Sequence, residues 1–360
     1  MGDSAQFRLT KYSGNPIVQP KPGSPWEGAQ TRNPAAVVHD GKVHLLYTAA
    51  GDIDEVHKLY VGRAVSEDGF HFERVGDDPF IAPCSDEFEG FDAGGVEDPR
   101  AVMIEDTIYI TYCARAIPHW SFISGERLEN PPTQGVTWTQ NYRRGGLIET
   151  KDLVTCKRLG PVTTDDHYDC NIILFPEQIG GRYVMLHRPS GFKAEIEAGA
   201  EEAAGMSICF SDDLVTWVDD QPLIGAAFPW EDGKTGGSTP PIKTDHGWLV
   251  TYHGVQKRPE NTDWHIDHHF CYRTGIMMLD LEDPTKVIAR CPHPILEPET
   301  PFEKFGTVNN VVFPTGSVVL DDEIFFYYGG ADTVCCVATT PLKALAEYVM
   351  QFPSTPTNTD

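Results

Sequence analysis

The most constraining feature of this sequence is a hairpin pattern that recurs five times. Each copy has a short polar and proline-containing entry, an apolar stretch, a turn, and an apolar strand that ends in an aromatic residue or His. Turn residues between two β-rich runs are typical of a β-hairpin. The strand-end residues of the five copies are Tyr47, Tyr112, His187, Tyr252 and Tyr328.

A second signature lies between successive hairpins. It reads Ser66-Glu67-Asp68-Gly69-Phe70, Thr150-Lys151-Asp152-Leu153 and Ser211-Asp212-Asp213-Leu214 in the first three copies, and it is more degenerate in the last two. Each repeat can therefore supply four strands, which is one blade of a propeller. The sequence predicts an all-β protein, a five-bladed β-propeller in which residues 1–360 form a single catalytic domain with short terminal extensions.

Charge and composition narrow the possible partners. The formal net charge is −25, and such a surface repels nucleic-acid phosphates and anionic lipids. We therefore expect no nucleic-acid partner. We also expect no membrane partner, because no apolar run is long enough to span a bilayer. No secretory signal is visible, and the nine cysteines contain no C-x-x-C pair. We expect reduced thiols and a cytoplasmic location. The sequence leaves the oligomeric state open.

The repeat register indicates which side chains meet. The residues one past each strand end are Thr48, Cys113, Arg188, His253 and Gly329. Equivalent positions in a propeller point to the same face, so we expect Arg188 and His253 to share a ring around the central channel. Asn33 and Asp98 both precede their strand-end Tyr by 14 residues, and they should be neighbours for the same reason.

The segment from Gly94 to Arg100 contains the most suggestive chemistry. It places Glu97, Asp98 and Arg100 at a strand entry marked by Pro99, a position that proline favours. A carboxylate beside an arginine suits either a general acid or a structural salt bridge. Polar residues from other repeats strengthen the interpretation as a site, and they are Asn33, Arg188, Lys234 and His253.

Seven motifs, in order and spacing, resemble glycoside hydrolase family 130. They are Asn33-Pro34, Val96 to Arg100, Leu174 to Glu177, Leu186 to Pro189, Trp230 to Lys234, Pro240 to Ile242, and Tyr252 to Gly254. The resemblance implies a five-bladed propeller with the activity of an inverting mannoside phosphorylase or a β-mannosidase. It places the single catalytic acid on Asp98, whose proton would pass through a hydroxyl of the bound mannose. It places the mannose of the reacting subsite against Asn33.

The resemblance also implies a basic cluster that attends the nucleophile, made of Arg188, Lys234 and His253. The substrate-binding residues expected from the resemblance and the repeat register are Asn33, Thr48, Arg100, Asn171, His187, Tyr252 and Asp332. Two arginines of the family pattern are absent, because Thr48 and Cys170 stand in their places. Since arginine grips phosphate bidentately, their absence favours water as the nucleophile. The candidate bases for that water are Glu231, Glu195 and Glu197.

These observations lead to one preferred function and three alternatives. We expect an inverting glycosidase that hydrolyses β-mannosides, with β-1,2-linked manno-oligosaccharides as substrates. The first alternative is a phosphorylase that uses inorganic phosphate as co-substrate and forms mannose 1-phosphate. The others are a non-catalytic sugar-binding propeller and a protein-interaction propeller. We expect no metal or other cofactor. The segment Trp264 to His269 is interpreted as a pocket rim, and the insertion 117–145 as a lid or an oligomer contact.

Overall fold

The structure is a computed structural model that describes residues 6–51, 58–116, 118, 143–163, 167–192, 205–257 and 270–354. Within these ranges, 21 β-strands stand beside only two α-helices, which confirms the predicted all-β class. The helices are α1 (Pro301–Lys304) and α2 (Leu342–Val349), and two short 3₁₀ turns span Phe88–Gly90 and Pro229–Glu231. No helix among the described residues is long and apolar enough to cross a membrane.

The largest sheet contains the first two repeats. Its strands are β2 (Gln30–His39), β3 (Lys42–Ala50), β4 (Leu59–Ser66), β5 (Glu73–Arg74), β6 (Gly95–Ile104), β7 (Thr107–Arg115), β8 (Arg143–Thr150) and β9 (Lys157–Pro161). Both halves are antiparallel meanders, and β5 pairs with β4. A single parallel bridge between Leu59 and Gly95 joins them. The sheet therefore consists of two repeat units whose backbones are joined by this one bridge among the described residues.

Three further sheets hold the remaining repeats. The first has β10 (His167–Leu174), β11 (Tyr183–Phe192), β12 (Met206–Ser211) and β13 (Trp217–Ile224). The second has β14 (Lys234–Gly237), β15 (Ile242–Thr244), β16 (Gly247–Lys257), β17 (Phe270–Leu279) and β18 (Val287–Arg290). The third has β19 (Val312–Leu320), β20 (Glu323–Gly330), β21 (Val334–Pro341) and the N-terminal β1 (Thr10–Lys11), which pairs with β21. The first and the last strand of the described residues thus pair in one sheet.

The predicted hairpins form where the turn residues stand. Asp40 and Gly41 both adopt left-handed φ angles, 50° and 73°, as the tight turn between β2 and β3 requires. Left-handed residues also occupy the turns at Glu105, Gly180 and Asp321. We call the hairpins β2–β3, β6–β7, β10–β11, β14/β15–β16 and β19–β20 the first to fifth inner hairpins.

The core consists of five apolar clusters, each between two successive repeat units. Neighbouring residues on one strand serve different clusters: Leu46 packs in the cluster shared with the second unit, and Leu45 in the cluster shared with the last. Both faces of each sheet are therefore buried, which explains the continuous apolar runs in the sequence. The cluster that contains Leu45 and Tyr327 joins the last unit to the first.

Four strand-end tyrosines have a common structural role. Each hydroxyl donates to a buried carboxylate, and each carboxylate is ion-paired with a nearby cation. The four sets, which we call tyrosine clamps, are Tyr47–Glu27–Arg74, Tyr112–Asp92–Arg158, Tyr252–Glu231–Arg290 and Tyr328–Glu303–Lys11. The hydroxyl-to-carboxylate distances lie between 2.7 and 2.9 Å.

Candidate active site

A cavity of about 180 Å³ lies among the inner hairpins, and every one of them contributes to its lining. Asn33, Asp98, Asn171, His253 and Phe313 come from the first to fifth hairpins in that order. The lining is strongly polar. Its cations are Arg32, Arg115, Arg143, Arg188 and Lys234, and its carboxylates are Glu97, Asp98 and Asp332.

Three of the lining residues lie at backbone irregularities in equivalent places. Asn33, Asp98 and Asn171 have φ angles of 49°, 50° and 57°, and each sits where the ladder of its inner hairpin shifts register. A bulge turns a side chain away from the regular alternation of a strand. Asn and Asp tolerate the left-handed conformation better than most residues, so polar residues at these bulges point into the cavity.

The residues one past each strand end lie at equivalent places in the five ladders. Thr48, Cys113, Arg188, His253 and Gly329 lie opposite Arg32, Glu97, Cys170, Gly236 and Phe313 in the five ladders. Gly329 is a close-packing position, because a Cβ atom there would lie 1.9 Å from Asn33 Oδ1. The predicted proximity of Arg188 and His253 is confirmed, since both line the cavity.

Asp98 is held from three directions. Its Oδ1 accepts a hydrogen bond from Asn33 Nδ2 at 2.7 Å, which confirms that Asn33 and Asp98 are neighbours. Its backbone N–H donates to Thr48 Oγ1 at 2.8 Å, and its carbonyl oxygen accepts from Arg100 Nη1 at 2.7 Å. The Asp98 side chain remains 17% exposed, so a ligand in the cavity can reach the carboxyl group.

A network of carboxylates and arginines lies beside Asp98. Arg32 is ion-paired with Glu97 at 3.1 Å and with Asp332 at 3.2 Å, and it lies 3.9 Å from Asp98. Burial alone would lower the pKa of Arg32, but the three carboxylates raise it above its ordinary value. Burial raises the pKa of Asp332, against the opposing effect of Arg32. All three carboxylates of the lining thus surround one guanidinium.

Two cations of the lining, Arg188 and Lys234, come from the third and fourth hairpins. Arg188 donates from Nε to Asn171 Oδ1 at 2.9 Å and from Nη2 to Cys170 Sγ at 2.7 Å. Lys234 Nζ lies 5.6 Å from the centre of the Tyr272 ring. The pKa of His253 is far below its ordinary value because the ring is buried beside Arg188 and Lys234. His253 is therefore a neutral group at physiological pH.

A family model described as beta-1,4-mannooligosaccharide phosphorylase, that of glycoside hydrolase family 130, matches residues 4–131 and 132–351. The chain belongs to glycoside hydrolase family 130. The resemblance inferred from the sequence motifs is thus confirmed. As a member of this family the protein is an enzyme, and the two non-catalytic alternatives are set aside.

Characterised relatives of this family-130 enzyme are similar over nearly their whole length. The 1,2-beta-oligomannan phosphorylase of Thermoanaerobacter sp. (strain X514) is 38% identical over 94% of this chain and 98% of the relative. A beta-1,2-mannobiose phosphorylase of the same organism is 34% identical over 92% and 97%. The solved beta-1,2-mannobiose phosphorylase of Listeria innocua, in complex with beta-1,2-mannobiose, superposes with a TM-score of 0.75 at 25% identity, covering 95% of this chain and 99% of that one.

Seven of the predicted site residues line the cavity of this family-130 enzyme. They are Asn33, Asp98, Asn171, Arg188, Lys234, His253 and Asp332. Thr48 and Arg100 lie behind the lining and contact the backbone of Asp98. Arg100 also donates to the Ser238 carbonyl oxygen at 3.1 Å. Its guanidinium therefore orients the backbone of the proposed acid. Because neither Thr48 nor Arg100 lies in the lining, the prediction that they contact the sugar directly is not supported.

Three predicted residues belong to the scaffold instead. Glu231 accepts from Tyr252 and pairs with Arg290 at 2.8 Å in a tyrosine clamp, and it is fully buried outside the cavity lining. The predictions that Glu231 is a base and that Tyr252 binds substrate are therefore wrong. His187 also lies outside the lining, bonded to Asp169 at 2.7 Å and Asp220 at 3.1 Å.

Some predicted features lie outside the described residues. Glu195 and Glu197 fall in the segment 193–204, the histidine cluster falls in 258–269, and most of the insertion 117–145 also lies outside. Among the residues that the structure does describe, no group of three or more His, Cys, Asp or Glu side chains could hold a metal ion.

Several lining residues were not predicted from the sequence, above all Arg32, Arg115 and Arg143. The expected preference for hydrolysis depends on the arginines absent at Thr48 and Cys170, yet three arginines reach the same cavity from other positions. Arg32 could have been found, because it precedes Asn33 as Glu97 precedes Asp98 in the repeat register. Arg143 directly follows the insertion, where the repeat gives no register, so no sequence signal identified it.

Proposed function

We propose that this family-130 enzyme is an inverting phosphorylase that cleaves β-1,2-linked manno-oligosaccharides with inorganic phosphate and releases mannose 1-phosphate. One observation carries the proposal. The cavity combines a carboxyl group held for proton transfer, Asp98, with a separate cationic wall that includes Arg188 and Lys234. The relatives named above act on β-1,2-linked mannosides as phosphorylases, which supports the substrate class.

Asp98 supplies the proton in this proposal. Asn33 holds one carboxyl oxygen at 2.7 Å, and Thr48 and Arg100 fix the backbone that presents the side chain. A positioned acid near the leaving oxygen contributes roughly 10²- to 10⁴-fold to the rate. As the family resemblance implies, the proton passes through a hydroxyl of the reacting mannose to the oxygen of the leaving sugar.

Phosphate binds at the cationic wall. Arg188 offers a planar guanidinium suited to a phosphate group, and Lys234 adds a second positive charge. His253 serves as a neutral hydrogen-bonding group, since its neighbours keep it unprotonated. A phosphate oxygen forms a bond to the anomeric carbon as the bond to the leaving oxygen breaks. The Asp98 proton ends on the leaving sugar, and attack on the opposite face converts a β-mannoside into α-mannose 1-phosphate.

Hydrolysis lacks comparable support in the described residues. An inverting hydrolase needs a carboxylate base across the sugar from its acid, about 6.5–9.5 Å away. Glu97 and Asp332 are both bound by Arg32, which itself lies near Asp98, so every carboxylate of the lining is on the acid side. The two Thermoanaerobacter relatives are named phosphorylases as well, and the expected preference for hydrolysis is not supported.

Product analysis tests the proposal directly. The enzyme is incubated with β-1,2-mannobiose in the presence and absence of inorganic phosphate, and the products are separated by anion-exchange chromatography. We expect mannose 1-phosphate and mannose in equal amounts, and only with phosphate. Release of free mannose alone, at the same rate in both reactions, would establish hydrolysis and exclude the proposal.

Asp98→Asn tests the assignment of the acid. The amide cannot donate the required proton, so we expect phosphorolysis to fall by about 10²- to 10⁴-fold while mannobiose binding, measured by calorimetry, persists. Asp40→Asn is the matched control, because Asp40 has the same left-handed φ of 50° but its side chain is 89% exposed on a turn. Equal activity in the Asp98 and Asp40 variants would contradict the role of Asp98.

We also infer that the described units form one five-bladed propeller that spans the chain as a single domain. Five inner hairpins line one cavity, and five apolar clusters link successive units, the last to the first. A solved thermostable family-43 glycoside hydrolase is similar in fold, with a TM-score of 0.55 at 15% identity. A crystal structure that divided the repeats between two separate rings or domains would refute this inference.

A further inference from the structure

We propose that Arg115 binds the leaving sugar, the mannose unit beyond the scissile bond. This inference rests on the proposed phosphorylase function and assigns a specificity-determining residue to it. Arg115 is the last residue of β7 and lines the cavity. Neither the sequence motifs nor the repeat register singled it out.

The Arg115 side chain is a fixed donor with one nitrogen atom unused. Its Nε donates to Glu97 Oε1 at 2.6 Å, and Nη2 is ion-paired with the same oxygen. The residue is only 6% exposed, and its Nη1 has no hydrogen-bond partner among the described residues. A buried charged donor without a partner is unfavourable unless a ligand satisfies it. Because Glu97 fixes the guanidinium plane, little side-chain entropy is lost when a ligand binds.

Along β7, Arg115 lies two residues beyond the position that pairs with Glu97. Cys113 pairs with Glu97, the residue before Asp98, and Arg115 pairs with Gly95. Residues 113 and 115 point to the same face because side chains alternate along a strand, and two residues advance the chain by about 7 Å. That rise is comparable to the length of one hexose unit. The reacting mannose lies at the level of Asn33 and Asp98, so Arg115 faces the next unit.

The local charge favours a sugar hydroxyl over phosphate at Arg115. Its countercharge is Glu97, which also binds Arg32 at 3.1 Å, and Asp98 and Asp332 complete the same carboxylate cluster. A phosphate dianion there would lie beside the Glu97 carboxylate, which already binds both Arg115 and Arg32. The phosphate-binding cations instead come from the third and fourth hairpins, which carry Arg188 and Lys234. Hydroxyl groups accept a guanidinium hydrogen bond without that repulsion.

The reverse reaction separates the two subsites. Enzyme, mannose 1-phosphate and mannose are combined, and the KM for each substrate is measured in wild type, Arg115→Met and Arg115→Lys. Losing a charge-assisted hydrogen bond should raise the KM for mannose by about 10- to 100-fold in Arg115→Met. The KM for mannose 1-phosphate should stay within about twofold of the wild-type value, because the subsite for the reacting mannose is unchanged. Lys234→Met is the opposite comparator and should raise the KM for mannose 1-phosphate.

The outcomes distinguish the inference from the function on which it rests. If the wild-type enzyme forms no disaccharide, the proposed phosphorylase function fails and the inference falls with it. If the wild type is active but both Arg115 variants keep the wild-type KM for mannose, Arg115 does not bind the leaving sugar. A rise confined to mannose 1-phosphate would assign Arg115 to phosphate instead. Should Arg115→Met fail to fold, Arg115→Lys alone decides, since it keeps the charge but loses the fixed fork.

Discussion

Two buried histidines show how the surroundings of a residue set its charge in this enzyme. Burial lowers the pKa of His253, and the cations Arg188 and Lys234 lower it further. Burial alone would also lower the pKa of His187, but Asp169 and Asp220 raise it well above its ordinary value. At neutral pH, His253 is therefore neutral, whereas His187 carries a positive charge within its ion pairs.

These opposite shifts predict opposite effects on the pH dependence of stability. Below about pH 6.5 the unfolded chain protonates His253 but the folded protein does not. Acidification therefore lowers the free energy of unfolding by up to about 1.4 kcal/mol per pH unit. His187 stays protonated in the folded state, and its contribution is lost as the pH rises above about 6.5. Comparing urea unfolding at pH 7.5 and 5.5, we expect His253→Gln to lose less stability on acidification than wild type, and His187→Gln to lose more. Identical pH profiles in all three proteins would disprove both assignments.

The repeat register predicted much of the site, and the residues that it assigned wrongly have a common physical explanation. Asn33, Asp98, Arg188 and His253 were found because the repeat places them in equivalent positions. Glu231 was misassigned because its partners, Tyr252 and Arg290, lie 21 and 59 residues away in sequence. A sequence shows that a carboxylate is present near a motif, but the partner that neutralises it comes from a distant strand.

At the scale of the strands and hairpins, the turn residues and apolar runs in the sequence predicted the strands. The tyrosine clamps could not be predicted in the same way. The ring of each clamp tyrosine in the first, second and fourth units lies over a glycine on the neighbouring strand, where a Cβ atom would approach it within 2.4 Å or less. These glycines are Gly62, Gly146 and Gly275. These glycines can be read from the sequence, but only the strand pairing shows that each one leaves room for a tyrosine ring.

Gly146→Ala tests the clamp as an element. The new Cβ would lie 2.3 Å from the Tyr112 ring, and the buried ring cannot move without disturbing its bond to Asp92. Overpacking of this kind typically costs about 1–3 kcal/mol, measurable by urea unfolding. Gly225→Ala is the control, because nothing lies within 4 Å of its added Cβ, and we expect a change within about 0.5 kcal/mol. Equal stability in both variants would mean that the tyrosine ring does not require the glycine.

At the scale of the whole molecule, the strand β1 joins the beginning of the described chain to its end. Thr10 and Lys11 pair with Thr339 and Ala338 of β21. Lys11 Nζ also donates to Glu303 at 2.8 Å and to the Glu297 carbonyl oxygen at 2.7 Å. Burial would raise the pKa of Glu303, but Lys11 and two backbone N–H groups lower it below its ordinary value. Glu303 is thus a buried carboxylate that depends on the N-terminal strand for its countercharge.

Lys11→Met should therefore weaken the closure of the molecule through electrostatics rather than packing. Removing one partner of a buried ion pair typically costs about 3 kcal/mol or more, and we expect a loss of that size at pH 7 in urea unfolding. Without Lys11 the pKa of Glu303 rises, so the folded variant takes up a proton more readily than wild type, and its stability deficit should shrink as the pH falls from 7 towards 4. Lys343→Met, which removes a surface pair 3.9 Å long with Glu347, should change stability little at either pH. A Lys11→Met deficit that stays constant from pH 7 to pH 4 would show that β1 acts through packing alone.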